Sequence, residues 1–200
     1  MELMQLIYIK DEEFIRGNCP MTKEEIRILS IAKLELKEDY NVLDIGAGTG
    51  SVSIQMCKCC PKGQVIAIEK DEEAIEVLYK NKEKFQVSNL QIVSGEAFEV
   101  AIDNNTSLNT IFDAIFIGGS GGNIQDIIKS YDLKLKDNGK MVLNFITIDN
   151  LYKAMSTLKE LSYETECMQI GVSKTKGKSY MLFANNPIFI LSSKKVTEGK

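Results

Sequence analysis

The sequence predicts an α/β fold: a doubly wound, mostly parallel sheet with helices on both faces and an antiparallel C-terminal strand. Three observations predict it. Short apolar runs alternate with amphipathic stretches through most of the 200 residues. Two of those runs end in glycine-rich turns, DIGAGTGS from Asp44 to Ser51 and FIGGSGG from Phe116 to Gly122. The last part replaces the alternation with two β-favouring segments joined by the polar loop TKGK, which suits an antiparallel pair.

Residues 1–21 read as an extended arm, 22–193 as a single domain, and 194–200 as a frayed tail. The first helix runs through TKEEIRILSIAKLEL, where Thr22 and Glu25 have the spacing of a capping box. Ile26, Leu29, Ile31 or Ala32, and Leu34 give it one apolar stripe. YNVLDIG is the first strand, a helix follows as far as Cys60, and VIAIEK is the second strand, completing a βαβ unit. DEEAIEVLYKNKEKF continues as a helix with Ala74, Val77 or Leu78 and Asn81 inward. NLQIVSGEA and FDAIFIGG are the third and fourth strands. A helix capped by Asn123 comes next, the turn Asp137 to Gly139 leads into a fifth strand KMVLNFIT, and DNLYKAMSTLKEL is the last helix.

Composition narrows the function. The chain has no histidine, which removes the commonest general base and disfavours triad hydrolases. A net charge of −4 speaks against a broad nucleic-acid surface. No window has the roughly 18 apolar residues of a membrane span, and the start does not read as a signal peptide, so a soluble cytoplasmic protein is expected. The five cysteines are odd in number and irregularly spaced. CKCC, Cys57 to Cys60, lacks a second paired motif and reads as small buried residues on a helix, so no metal is expected.

The chemistry gathers at three strand ends. Gly46, Ala47, Gly48, Thr49 and Gly50 form a strand-to-helix turn in which backbone amides can approach a ligand closely. The spacing is GxGxG and not the dinucleotide GxGxxG. Glu69 ends the second strand, where an acid would accept hydrogen bonds from ribose hydroxyls, and Glu96 with Ala97 ends the third. Ligands of open parallel sheets bind at this edge, so the three features converge on one crevice.

This order of motifs resembles the class I S-adenosylmethionine-dependent methyltransferases, Rossmann-like proteins with a D/E-x-G-x-G-x-G loop. The resemblance implies S-adenosylmethionine as cofactor, with its amino acid part at Gly46 to Gly50, its ribose at Glu69 and its adenine near Glu96 and Ala97. Over nearly its whole length the chain is similar to the decarboxylating precorrin methyltransferases of cobalamin biosynthesis. DEEFIRG, PMTKEEIR, DIGAGTGSVSI and FIGGSGG carry that match, and FIGGSGG stands where amine methylators have an Asn-Pro-Pro-Tyr type motif.

That family implies methylation at carbon 15 of a (cobalt-)precorrin-6B-type tetrapyrrole with loss of the ring C acetate as carbon dioxide. It also implies a cofactor contact for Thr22 and a homo-oligomer, specifically a tetramer. Gly118, Gly119, Ser120, Gly121 and Gly122 would leave space and amides for the flat acceptor. Arg16 and Arg27, with Lys174, Lys176 and Lys178, are expected to meet its carboxylates. No catalytic acid or base is readable. Two rivals remain at this stage: a class I methyltransferase for another small molecule or RNA, and a non-catalytic cofactor-binding subunit.

Overall fold

The computed structural model describes residues 8–102, 110–119, 122–176 and 180–196. Ser120, Gly121, Lys178 and residues 197–200 lie outside them, as does the Lys176 side chain. The elements are α1 (Glu24–Leu34), β1 (Val42–Ile45), α2 (Ser51–Cys59), β2 (Val65–Glu69), α3 (Glu72–Lys84), β3 (Leu90–Ser94), α4 (Ala97–Ile102) and β4 (Phe112–Ile117). There follow α5 (Ile124–Asp132), β5 (Leu135–Phe145), α6 (Ile148–Glu160), β6 (Glu164–Ile170), β7 (Ser173–Lys176), β8 (Met181–Ala184) and β9 (Ile188–Lys194).

Seven strands form one sheet in the order β3-β2-β1-β4-β5-β9-β6. The pairs among β1 to β5 are parallel, while β9 runs antiparallel to both β5 and β6. The order reverses at β1, so the carboxyl ends of β1 and β4 flank the crevice that such a switch opens. Each parallel strand is apolar on both faces. Leu43, Ile45, Ile66 and Ile68 join the core beneath α4, α5 and α6. Val42, Val65 and Ala67 join the core beneath α1 and α2. This period-2 partition between two helical layers produces near-continuous apolar runs.

The C-terminal segments fold differently from the simple pair expected. β6 and β9 do pair, but between them the chain forms a separate two-stranded ribbon, β7 with β8. The ribbon presents Met181, Leu182 and Phe183 to solvent. Lys194 closes β9, and Lys195 donates its ammonium to the carbonyls of Asp132 and Leu135, so these two residues belong to the fold and not to a tail. The short helix α4, not anticipated from GEAFEVAI, is pinned by Tyr131, whose buried hydroxyl donates to the Ala97 carbonyl at 2.8 Å. Among the described residues no helix is long and apolar enough to cross a membrane.

The capping box at Thr22 does not form. Lys23 occupies the N-cap of α1 with no side-chain cap bond, and the Thr22 carbonyl instead accepts from Arg27. Asn123 does take the N-cap position of α5, also without a side-chain bond. The expected apolar stripe of α1 is present in Ile26, Ile31 and Leu34. Ala74, Val77, Leu78 and Asn81 all face inward on α3. Cys57, Cys59 and Cys60 are buried near the end of α2, and burial pushes the Cys60 thiol up to about 12 and the Cys57 thiol up as well. They pack as inert small residues.

Candidate active site

A cavity of about 910 Å³ opens at the carboxyl ends of β1, β2, β3, β4 and β5. Thr22, Gly46, Ala47, Gly48, Glu69, Glu96, Ala97, Gly118 and Gly119 all line it. Thus residues up to 97 positions apart in sequence meet because each stands at a strand end or on the arm. Thr49 and Gly50 sit behind this surface: Thr49 is 1% exposed and Gly50 is the N-cap of α2. Their part is to shape the loop.

The glycine loop is fixed from two sides. Its Gly48 N–H donates to Glu69 Oε2 at 2.7 Å, while Glu69 Oε1 accepts from the amides of Lys70 and Asp71 at 2.8 and 3.0 Å. A carboxylate has about four acceptor positions, so three protein bonds leave room for a ligand hydroxyl. At its end the loop is tied by Asn81. That fully buried amide donates to the Thr49 carbonyl at 2.9 Å and exchanges two bonds with the backbone of Ile15. The arm is thereby strapped across the loop, and a side chain at Gly48 would meet the Pro20 carbonyl at 3.0 Å.

The second glycine segment is the adjoining wall. A Cβ added to Gly46, whose φ is +72°, would lie 2.7 Å from the Gly119 carbonyl oxygen and 2.8 Å from its nitrogen. The two turns therefore touch backbone to backbone, with no space for a side chain between them. Among the described residues nothing lies within 4 Å of a would-be Cβ on Gly119, which itself lines the cavity.

Asp44, at the loop's start, is fully buried and accepts from Ser53 Oγ, while its Oδ1 has no protein partner. Burial pushes its carboxyl up to about 7. A carboxyl whose folded pKa lies above its unfolded value binds more protons when folded, so its contribution to stability is fully present below pH about 4. It is lost as pH rises towards about 7. A cationic ligand group at the loop favours the ionised carboxylate. We expect affinity for an amino-acid-bearing ligand to rise with pH through about 7, and Asp44→Asn to flatten that rise, as read by calorimetric titration.

A family model described as a precorrin methyltransferase domain matches residues 13–195. The chain belongs to that family. A Salmonella typhimurium protein named cobalt-precorrin-6B C(15)-methyltransferase (decarboxylating) is 37% identical over 191 residues, 94% of this chain and 96% of the relative. A Sulfurisphaera tokodaii protein, named a probable enzyme of the same activity, is 42% identical over 96% of this chain and 100% of its own length. Among solved structures, a precorrin-6y C5,15-methyltransferase from Geobacter metallireducens superposes with a TM-score of 0.88 at 36% identity, covering 95% of this chain and 99% of that one.

Four of the expected acceptor residues stand elsewhere. Arg27 is fully buried: its guanidinium donates to Gln55 Oε1, to Asp11 Oδ1 and to the carbonyls of Thr22 and Ile9 at 2.6 to 3.1 Å. Four of its five N–H donors bind the arm and α2, and full burial keeps the fifth from a substrate carboxylate. Arg16 is exposed, 3.7 Å from Asp11 Oδ2, and does not line the cavity. Lys174 is paired with Glu24 at 2.6 Å and with Glu25, clasping the β7–β8 ribbon to α1. That bond holds the Glu24 carboxyl down at about 2. Gly122 has a φ of +98° and is not among the lining residues; it turns the chain into α5.

The sequence reading missed Lys23, Lys70 and Asn144, which do line the cavity. Lys23 and Lys70 are exposed at its mouth and have no ion pair among the described residues. Neither stood in a glycine motif. Asn144 carried a signal that was overlooked: one polar residue inside the apolar run MVLNF at a strand's carboxyl end.

Proposed function

We propose that this chain methylates carbon 15 of a cobalt-precorrin-6B-type tetrapyrrole from S-adenosylmethionine, with loss of the ring C acetate as carbon dioxide. One observation carries the reading: two glycine turns, Gly46–Gly48 and Gly118–Gly119, abut at neighbouring strand ends and both line a single cavity. The first turn is the cofactor wall. Its residues fit the cofactor because the loop carries no side chain larger than the Ala47 methyl to block an amino acid group, and Glu69 retains acceptor capacity for ribose. S-adenosylmethionine would supply an electrophilic methyl group. Thr22 closes this half from the arm, and Glu96 and Ala97 border the adenine side.

The second turn leaves width for a flat acceptor. Lys23 and Lys70 at the mouth meet its outward carboxylates, the role expected of the arginines. The chain needs no strong base, since orientation of an electron-rich carbon in line with the methyl supplies most of the rate. By family membership we also read the protein as a homo-oligomer, a tetramer, joined through the exposed apolar face of β7–β8. Light scattering tests this, and a monomer at working concentration would refute it.

Thermal stabilisation by S-adenosylhomocysteine tests the cofactor half, because a ligand bound only to the native state raises its stability. Gly119→Val separates the two walls. A Cβ at that position meets no described residue within 4 Å, so the variant is expected to keep its stability and bind S-adenosylhomocysteine within about threefold. Its turnover of the tetrapyrrole should fall by at least about tenfold. Equal loss of both would make Gly119 part of the cofactor site.

A further inference from the structure

The cavity has two halves of different chemistry. On the β2 and β3 side it is edged by the carboxylates of Glu69, Asp71, Glu73 and Glu96. On the β4, β5 and β9 side its described walls are uncharged, formed by Ile127, Asn144, Phe145, Ile170, Val172 and Ile188. Asn144 is a half-buried polar group in that second half, on the α1 face of β5.

The Asn144 amide is held edge-on by α1. Its Nδ2 donates to Ser30 Oγ at 2.9 Å, and its Oδ1 lies 3.1 Å from the same hydroxyl. Ser30 is fully buried and also reaches the Ile26 carbonyl at 2.8 Å. One N–H of the Asn144 amide remains without a protein partner among the described residues. An amide oriented by a buried hydroxyl, with one donor left over in an apolar chamber, is suited to fix a single acceptor oxygen.

We propose that Asn144 seats the acetate carboxylate that leaves as carbon dioxide; the inference rests on the tetrapyrrole reading above. A disc of that size enters edge first, with the reacting carbon and the neighbouring acetate foremost. Its other carboxylates stay at the mouth, by Lys23, Lys70 and water. Inside, the carboxylate meets a neutral donor and no countercharge. The bond between the acetate methylene and the carboxylate carbon breaks, carbon dioxide departs, and its electron pair passes through the conjugated ring into the new bond from carbon 15 to methyl.

The sulfonium becomes a neutral thioether as the carboxylate becomes neutral carbon dioxide, so one positive and one negative charge disappear together. The proton on carbon 15 moves to the former acetate methylene, and the balance needs no oxidant and no external base. A reaction that extinguishes two charges gains from an uncharged, water-excluding chamber, where a salt-bridged carboxylate would be held back. Asn144 positions the group without stabilising its charge as a cation would.

The test compares wild type, Asn144→Leu and Asn144→Asp on cobalt-precorrin-6B, with mass spectrometry of the product and calorimetry of S-adenosylhomocysteine binding. We expect both variants to bind S-adenosylhomocysteine within about threefold of wild type. Coupled methylation and decarboxylation should fall about 10- to 100-fold, the scale of one lost hydrogen bond to a charged group. Asn144→Asp should fall further than Asn144→Leu, because a second carboxylate repels the first. Ser30→Ala, which frees the amide but keeps it, should show a smaller loss of the same kind. Unchanged coupled turnover in Asn144→Leu, or matching loss of turnover and S-adenosylhomocysteine binding, overturns the proposal. A wild type that methylates no tetrapyrrole would instead sink the reading on which it rests.

Discussion

Replacing Gly46 by alanine should abolish cofactor binding and lower stability by roughly 2–5 kcal/mol, the sum of a left-handed non-glycine residue and an overpacked contact. Two separate facts impose this. The φ of +72° is costly for any residue with a Cβ, and the added carbon would lie 2.7 to 3.0 Å from three backbone atoms of Gly119. A flexible side chain could swing aside, but backbone at a strand end cannot. The substitution therefore pries apart both walls of the cavity at once. Urea unfolding measures the stability loss, and calorimetric titration with S-adenosylhomocysteine measures binding. Gly119→Val, which meets open space, is the control that should keep both.

Arg27→Ala should destabilise by about 3–5 kcal/mol, as expected when one member of a buried, hydrogen-bonded charge network is removed. The guanidinium binds Gln55, Asp11 and two carbonyls, and its Cζ lies 4.9 Å from the Phe14 ring centroid. Removal leaves those carbonyls desolvated and unpaired and opens a cavity beneath the arm. Because the arm carries Pro20 and Thr22 over the glycine loop, S-adenosylhomocysteine binding should weaken as well. Had Arg27 been a substrate contact, the same variant would keep its unfolding midpoint and lose only affinity for the acceptor. Thermal unfolding with and without ligand separates these outcomes.

Most of the parallel sheet was legible because local and global signals agree there. DIGAGTG shows an apolar strand, a turn that only glycines permit and a helix start within eight residues, and VIAIEK and FDAIFIGG repeat the pattern. The cofactor wall was legible for the same reason, since strand ends of an open sheet converge by topology. Arg27 was misplaced because charge predicts exposure, and nothing local announces that Gln55, 28 residues away, receives it. Thr22 matched a capping pattern, yet its carbonyl was recruited by Arg27 and the cap was not made. The ribbon β7–β8 reads as part of one long pair because alternation persists through it, while in the structure it pairs only with itself, its ladder ending where the Asn185 backbone N–H donates to the Val172 carbonyl. Asn144 needed its contact with Ser30, 114 positions away, before its orientation had meaning.

The central claim is that one cavity couples methyl transfer to loss of carbon dioxide. It is tested most directly by incubating the purified protein with S-adenosylmethionine and cobalt-precorrin-6B and following the tetrapyrrole by mass spectrometry. The expected result is a single product that has gained one methyl group and lost one carbon dioxide, with S-adenosylhomocysteine formed in equal amount. A tetrapyrrole of unchanged mass from a substrate that a known relative converts would contradict it.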